Sequence, residues 1–477
     1  NTLGTGWTPN NLSVTSGAAG YDGSSDAFEL KATSGTLMSL QQTISDFTGV
    51  ATFSVFAKSG PSDKAKFLRM SLGEADESSA AANSRAYFNL TDDATQTIGA
   101  SAILAKIEAV GGDGWKRCSL TVDVPANHTV DSIKLFIADS LSSQDADIGD
   151  IIYLQDFQYE VGLVATAPIT TGASTAKDGI LEDQARVDYF SNSNGYLLLE
   201  PTRTNYFAFS EYAAGNSLTA SPVLTQNYAV SPEGLQNAFR IQHSGTTFRR
   251  VNTPNIDITS LGNTFTFSVF VKKASSSVST FGGFGINFFG TSQKVAYVIF
   301  DEHNGTATKV DATGDMVLHP VENYGDYWRF SASYTDTESN TAVEGILYAM
   351  LSTNGYSVTV SAGGSKDYTA YGMQLEEGAF ATSYIPTHGT AASRSAEGLP
   401  ASTGSVIDMS SFMKGDDVTL VVELAENSSA VRDASNASIR LSNGNSQNGS
   451  INIYRASASA TTYRAVFFGT DANSFGS

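Results

Sequence analysis

One stretch of this chain occurs twice. Gln374-Leu375-Glu376-Glu377-Gly378-Ala379-Phe380-Ala381-Thr382-Ser383-Tyr384-Ile385-Pro386 has an earlier, blurred copy in Gln158-Tyr159-Glu160-Val161-Gly162-Leu163-Val164-Ala165-Thr166-Ala167-Pro168. Both read Q-x-E-x-G-x-x-A-T, and both follow an alternating, aromatic-rich run. Internal self-similarity at a fixed spacing decides the fold before any single residue does.

Four further matches keep the same order along the chain. Ala27-Phe28 answers Ala238-Phe239, Thr52-Phe53-Ser54-Val55-Phe56-x-Lys58 answers Thr266-Phe267-Ser268-Val269-Phe270-x-Lys272, and Ala86-Tyr87 answers Ala296-Tyr297. Gly112-Asp113-x-Trp115-Lys116 answers Gly325-Asp326-x-Trp328-Arg329. The spacing drifts from 210 residues for Ala86 and Ala296 to 216 for Gln158 and Gln374. Collinear matches with drifting spacing indicate one duplicated domain that has gained and lost loop residues.

The units are β-rich. Ala51 to Lys58 alternates Phe53, Val55 and Ala57 against Thr52, Ser54, Phe56 and Lys58, the period of a half-buried strand. Ala86 to Leu90, Trp115 to Val124, Asp131 to Ala138 and Ile151 to Glu160 read the same way. Ala100 to Val110 places Ile103, Leu104 and Ile107 at helical spacing, but its counterpart carries Pro320 and the β-favouring Met316-Val317-Leu318, so a strand is predicted in both copies. Only 16% of the 477 residues are charged and 41% are hydrophobic, a profile that suits an all-β protein with many turns. About eight to ten strands per unit suit a two-sheet jelly roll.

The predicted organisation is a first jelly-roll unit over 1–169, a connector over 170–203, a second jelly-roll unit over 204–396, and a linker with an incomplete third β-sandwich over 397–477. Tyr196-Leu197-Leu198-Leu199 in the connector is expected to be a buried edge strand joining the units. Asn1 opens without an initiator Met, as a segment of a longer product would.

At Ala185-Arg186-Val187-Asp188-Tyr189, Gly195-Tyr196-Leu197-Leu198-Leu199-Glu200-Pro201-Thr202-Arg203-Thr204-Asn205, and Gln374 to Pro386 followed by Thr390-Ala391-x-x-Arg394, the sequence resembles tailed-bacteriophage virion proteins. These are tail-fibre, head-fibre or minor structural proteins with tandem carbohydrate-binding-module-like jelly rolls and a concanavalin/laminin-G-like domain. The resemblance implies a structural or adhesive part displayed outside a phage particle, among other virion proteins and against host cell-surface polysaccharide. It also implies a homo-oligomer, a trimer if the part is a fibre. Two departures stand out: the first unit ends Ala167-Pro168-Ile169, and the second has no tryptophan at the place of Trp7.

A net charge of -20 and a pI near 4.6 argue against a nucleic-acid partner, since phosphate binding needs a basic face. No apolar run is long enough to predict membrane insertion by a helix. The single cysteine, Cys118, rules out an intramolecular disulfide and reads as a buried, inert thiol.

Catalytic signatures are missing. There is no G-x-S-x-G, and His128, His243, His303, His319 and His388 lack metal-binding spacing. Glu376 and Glu377 are adjacent on a predicted strand and so face opposite ways, which prevents them from flanking one glycosidic bond. A carboxylate that caps the turn at Gly162 or Gly378 is the expected role of Glu160 and Glu376, and Trp115 and Trp328 are expected to plug the two cores. Open candidates for stacking on sugar rings are Trp7, Tyr21, Tyr212 and Tyr356. The loop carrying Asp145, Asp147 and Asp150 is oxygen-rich enough to suggest calcium. The resulting expectation is a non-enzymatic virion component that binds glycans weakly and multivalently. The alternatives are a non-catalytic segment of a depolymerase or tailspike, and accessory modules of a secreted polysaccharide-degrading enzyme.

Overall fold

The computed structural model describes residues 3–4, 6–61, 66–73, 84–99, 101–125, 130–143, 145–171, 174–176, 186–188, 196–198, 200–245, 247–258, 263–276, 280–311, 313–353, 358–359, 365–396, 438–442, 450–455, 463–468 and 474–475. The chain divides into two units, Asn1–Asp408 and Met409–Ser477.

The first sandwich is built from β1 (Trp7–Asn10), β2 (Leu12–Ala18), β3 (Ala27–Ala32), β4 (Ser39–Phe47), β5 (Gly49–Ser59), β6 (Phe67–Gly73), β7 (Ser84–Asn89), β8 (Thr95–Ile98), β9 (Ala102–Val110), β10 (Trp115–Val124), β11 (Val130–Ala138) and β12 (Ile151–Val161). They form two six-stranded sheets, ordered β1-β4-β11-β6-β7-β8 and β2-β3-β12-β5-β10-β9. Two six-stranded sheets exceed the eight to ten strands expected from the sequence. The ambiguous stretch after Ala100 is the strand β9, as the repeat argument required.

Between the sandwiches lie β13 (Arg186–Asp188), β14 (Tyr196–Leu198) and β15 (Arg203–Asn205). The second sandwich comprises β16 (Ser217–Thr219), β17 (Val223–Ala229), β18 (Ala238–Ser244), β19 (Arg250–Asn252), β20 (Ile256–Asp257), β21 (Thr264–Lys272), β22 (Phe281–Phe289), β23 (Lys294–Asp301), β24 (Thr306–Val310), β25 (Met316–Leu318), β26 (Glu322–Tyr324), β27 (Tyr327–Thr335), β28 (Ala342–Thr353), β29 (Val358–Thr359) and β30 (Ser365–Glu377), with β31 (Ala392–Arg394) behind it. Its sheets run β16-β19-β28-β22-β23-β24 and β17-β18-β30-β21-β27-β25, with the short β20, β26 and β29 pairing off these paths. Strand for strand, this is the order of the first sandwich. The duplication is therefore a duplication of topology.

Alternation sets the cores. Phe53, Val55 and Ala57 of β5 enter one apolar cluster with Leu68, Leu120, Leu135 and Leu154. Phe265, Phe267, Val269 and Val271 of β21 enter the other with Phe284, Phe330 and Leu375. Cys118 lies inside the first core, fully buried, and burial pushes its thiol far up, which makes it inert.

Register corrects one sequence match. Arg117 pairs with Phe56 and Arg329 with Phe270, so Trp115 is the counterpart of Tyr327 and not of Trp328. The turns differ in length: Val110 pairs with Trp115, whereas Tyr324 pairs with Tyr327. A one-residue slip on a strand changes the face of the side chain. Trp115, 2% exposed, therefore packs with Ala27 and Phe56 in a cluster apart from the main core. Trp328 is half-buried against the rim of the second core, where its Nε1 donates to the Glu302 carbonyl at 3.1 Å and Lys273 Nζ lies 4.0 Å from its ring centre. Neither tryptophan is the central plug expected from the sequence.

The connector is also corrected. Among the described residues β14 pairs only with β13 and joins neither sandwich sheet, while Leu199 lies outside the described residues. The sandwiches meet elsewhere: the Val50 amide donates to the His388 carbonyl at 2.7 Å, and Asn227 Nδ2 donates to the Leu163 carbonyl at 3.2 Å. Burial there lowers the His388 imidazole to about 4. The segment after Thr387 thus carries a contact between the sandwiches.

In the unit Met409–Ser477 the described strands are β32 (Ser438–Ser442), β33 (Ser450–Arg455), β34 (Tyr463–Phe468) and β35 (Ser474–Phe475). They form one antiparallel sheet in sequential order. Asp416 to Leu424, where the sequence predicts the start of the third β-domain, lies outside the described residues.

Candidate functional site

The repeated motif is a clasp. In the second sandwich Glu376 Oε1 accepts the Thr382 amide at 2.8 Å and Oε2 accepts the Thr382 hydroxyl at 2.7 Å. Gln374 Nε2 donates to Glu376 at 2.8 Å, and its Oε1 accepts the Ile385 amide at 2.8 Å. Arg329 donates to the Ser268 hydroxyl at 3.0 Å and the Thr382 carbonyl at 2.5 Å. The first sandwich repeats each bond with Glu160, Thr166, Gln158, Ile169, Arg117 and Ser54. Between carboxylate and threonine the chain turns at Gly162 and Gly378, where φ is 134° and 138°. Glu376 is fully buried while Glu377 is exposed, as strand alternation requires. Every polar atom named in the motif is engaged in holding the turn, so the motif is architecture.

The stacking candidates fare unevenly. Trp7 is half-buried, with its ring centre 4.7 Å from that of Phe157. Tyr21 lies flat on Phe56 at 3.8 Å and donates to Asp156 at 2.8 Å; burial and Asp156 push its phenol up to about 12. Tyr212 meets Phe209 edge-on at 5.8 Å. Each of these rings is packed against protein. Tyr356 lies outside the described residues. In the acidic loop Asp150 accepts the Asp147 amide at 2.9 Å. Among the described residues no group of three His, Cys, Asp or Glu side chains is placed to hold a metal ion, and Asp145, Asp147 and Asp150 form none.

A different arrangement emerges on the outer face of the sheet containing β22. Phe284, Ile286 and Phe288 point into the core, which sends Gly283, Gly285 and Asn287 to the opposite face. Gly285 is flanked by Tyr297 and Ile346, and Gly283 is opposite Ile299 and Tyr348. A Cβ on Gly285 would lie 3.2 Å from the Tyr297 ring and 3.3 Å from the Tyr348 ring. Glycine at these positions lets two tyrosines lean across the middle of the sheet.

Those rings, 5.8 Å apart and tilted by 60°, belong to a second apolar cluster with Ile299, Val310, Ile346 and Leu351. Phe248, 37% exposed, stands edge-on to Tyr348 at 6.1 Å. Burial raises the Tyr348 phenol, and a hydrogen bond with Arg250 opposes the rise. Arg250 and Asn252 pair with Tyr348 and Ile346. Asn252 Nδ2 donates to Glu344, Asn287 Nδ2 reaches the same carboxylate at 3.5 Å, and Gln293 Nε2 donates to Asn287 at 3.1 Å. Aromatic edges thus lie beside a row of amides and one carboxylate, the mixture that meets a sugar's apolar C–H face and its hydroxyls.

The first sandwich lacks this arrangement. Register puts Tyr87 at the place of Tyr297, Phe136 at that of Ile346 and Arg69 at that of Gly285. The Arg69 guanidinium lies 4.1 Å over the Phe136 ring and fills the space that glycine leaves in the second copy. Lys134 stands where Glu344 does. The one sequence signal for the site is Phe281-Gly282-Gly283-Phe284-Gly285, a glycine run inside a strand.

No family model matches the chain, and no curated protein matches it. Among solved structures, the N-terminal CBM22-1–CBM22-2 tandem domain of Paenibacillus barcinonensis Xyn10C is 12% identical, with a TM-score of 0.22 over 79% of this chain and 94% of that one. A structure of infectious bursal disease virus Gt strain is 10% identical, with a TM-score of 0.13 over 80% of this chain and 86% of that one. At those scores neither likeness enters the functional argument.

Proposed function

We propose that this chain is a non-enzymatic, glycan-binding architectural protein, and that the outer face around Gly285, Tyr297 and Tyr348 is its recognition surface. The observation that carries this reading is the half-buried Tyr297 and the exposed Phe248, which border a second, buried apolar cluster beside Asn252, Asn287 and Glu344. A shallow face of this kind gives weak affinity, which an array of copies strengthens without new contacts. The motif carboxylates Glu160 and Glu376 are held in clasps. Glu211, with its raised carboxyl, is 4% exposed and enclosed by Asn237, Tyr371 and Tyr384. Both facts favour binding over catalysis.

The setting we propose is the outside of a tailed-phage particle, in a homo-oligomer that is a trimer if the part is a fibre. This rests on the resemblance carried by the connector and the Tyr384-Ile385-Pro386 ending. A glycan array with the intact chain and Tyr297→Ala tests the binding. Signal on host-surface polysaccharide that the variant loses is expected, and an array without signal overturns the reading. Mass spectrometry of purified particles tests the setting, and light scattering at micromolar concentration tests the oligomer.

A further inference from the structure

We propose that Lys366 and Glu302 condense to an amide, an internal cross-link between the two sheets of the second sandwich. The cross-link is independent of any glycan bound outside. Lys366 Nζ donates to Glu302 Oε1, and each side chain is 2% exposed. Glu302 Oε2 is shielded from water and has no hydrogen-bond partner. A buried ion pair offsets its desolvation only when further hydrogen bonds satisfy its remaining polar atoms, and here one carboxylate oxygen is left out.

The two groups are held in place from both sides. Glu302 is in the turn between β23 and β24, and Lys366 is in β30 of the facing sheet. The Glu302 carbonyl accepts the Ala274 amide and Trp328 Nε1, each at 3.1 Å. In the same turn Asp301 accepts the His303 and Asn304 amides at 2.9 and 3.1 Å. Lys366 is fixed by its ladder pairing with His243. An amine and a carboxyl group held together in this way react as parts of one molecule, at an effective concentration no solution reaches.

The atoms balance without a co-reactant. The Lys366 ammonium gives up a proton, Nζ attacks Glu302 Cδ, and one carbon–oxygen bond breaks as that oxygen takes up two hydrogens and leaves as water. Ammonium plus carboxylate thus become a neutral amide plus water, and two buried charges disappear. His243 is the group placed to relay the proton: it is opposite Lys366 on the same inward face and 4% exposed. Its Nε2 lies 2.6 Å from the Thr247 carbonyl. A carbonyl only accepts, so in the neutral ring Nε2 carries the hydrogen and Nδ1 is the base. Nδ1 is buried and has no partner.

The first sandwich has no such pair. Register puts Asp150 at the place of Lys366 and Ala32 at that of His243. The fold itself therefore does not demand these residues, and a chain with one cysteine has no internal disulfide to join its sheets.

Intact mass spectrometry of the denatured full chain tests the cross-link. The chain is expected to be lighter than its sequence by one water, and trypsin should leave the peptides that contain Glu302 and Lys366 joined, with no cut after Lys366. Lys366→Arg keeps a cation against Glu302 and should restore the full mass. His243→Phe should slow the appearance of the lighter form about a hundred-fold. The mass of the native chain decides the matter even where a variant fails to fold. A mass equal to that of the sequence overturns the cross-link, as does a water loss that persists in Lys366→Arg or maps to other residues. An unchanged rate in a folded His243→Phe overturns the relay.

Discussion

Gly49 and Gly389 touch across the joint between the sandwiches: a Cβ on Gly389 would lie 2.9 Å from the Gly49 Cα, and one on Gly49 would lie 2.1 Å from the His388 carbonyl oxygen. Both residues have positive φ, 98° and 146°. The joint therefore requires glycine twice, once for conformation and once for space.

Gly49→Ala should destabilise the chain by more than the about 1 to 3 kcal/mol of left-handed strain alone, because the methyl also meets a carbonyl. Gly23→Ala is the control, with φ of 83° and nothing within 4 Å of the added atom. Thermal unfolding of the two variants should differ, and equal losses would show that the close approach at the joint has no energetic weight.

Glu376→Gln is expected to cost about 1 to 3 kcal/mol, since a buried carboxylate loses its charge beside Thr382 and beside Arg203, whose Nε is 3.7 Å away. Glu160→Gln should cost less because Glu160 is only half-buried. Urea unfolding that reverses this order would contradict the clasp as described.

The pH dependence of stability should bear the mark of Glu211. Burial raises its carboxyl from 4.5 to about 7, Glu233 adds to the rise, and bonds from Asn237, Tyr384 and Tyr371 oppose it. Because the folded form holds the proton more tightly than the unfolded form, this contribution is full below about 4.5 and is lost as pH rises through about 7. Melting temperature should fall across that window in the native chain and fall less in Glu211→Gln. Parallel curves for the two proteins would exclude Glu211 as the source.

Trp115→Ala should cost about 3 to 5 kcal/mol, as expected for emptying a fully enclosed aromatic site. Trp328→Ala should cost less, and Trp328 should be the more accessible of the two to iodide in fluorescence quenching. A Trp328 as protected as Trp115 would contradict its place at the rim.

Much of this was readable from the chain, for identifiable reasons. The part of the clasp between Gln374 and Ile385 could be read because its residues lie within a dozen positions of one another and recur. The face assignment of Glu376 and Glu377 followed from strand period alone. The tryptophan register was misread because Gly112-Asp113 and Gly325-Asp326 match while the turns that contain them differ in length. The proposed recognition face was missed because it draws on β19, β22, β23 and β28, which meet only through sheet pairing. Its floor is glycine, which leaves no periodic signal. Tyr21 illustrates the reverse case, a loop-like tyrosine that the fold uses as a lid on Phe56 and Trp115.

The sheet order also dictates when each sandwich can exist. β12, the last strand of the first sandwich, lies between β3 and β5 and pairs Leu154 with Phe28 and with Ala57. β30 does the same in the second, between β18 and β21. Neither sheet can close while its final strand is still inside the ribosome, and until then β3 and β5 present bare edges to one another and to neighbouring chains. Synthesis should therefore yield two late, separate closing events. A pause in translation just before Ile151 or Ser365 would then be the moment of greatest exposure to aggregation.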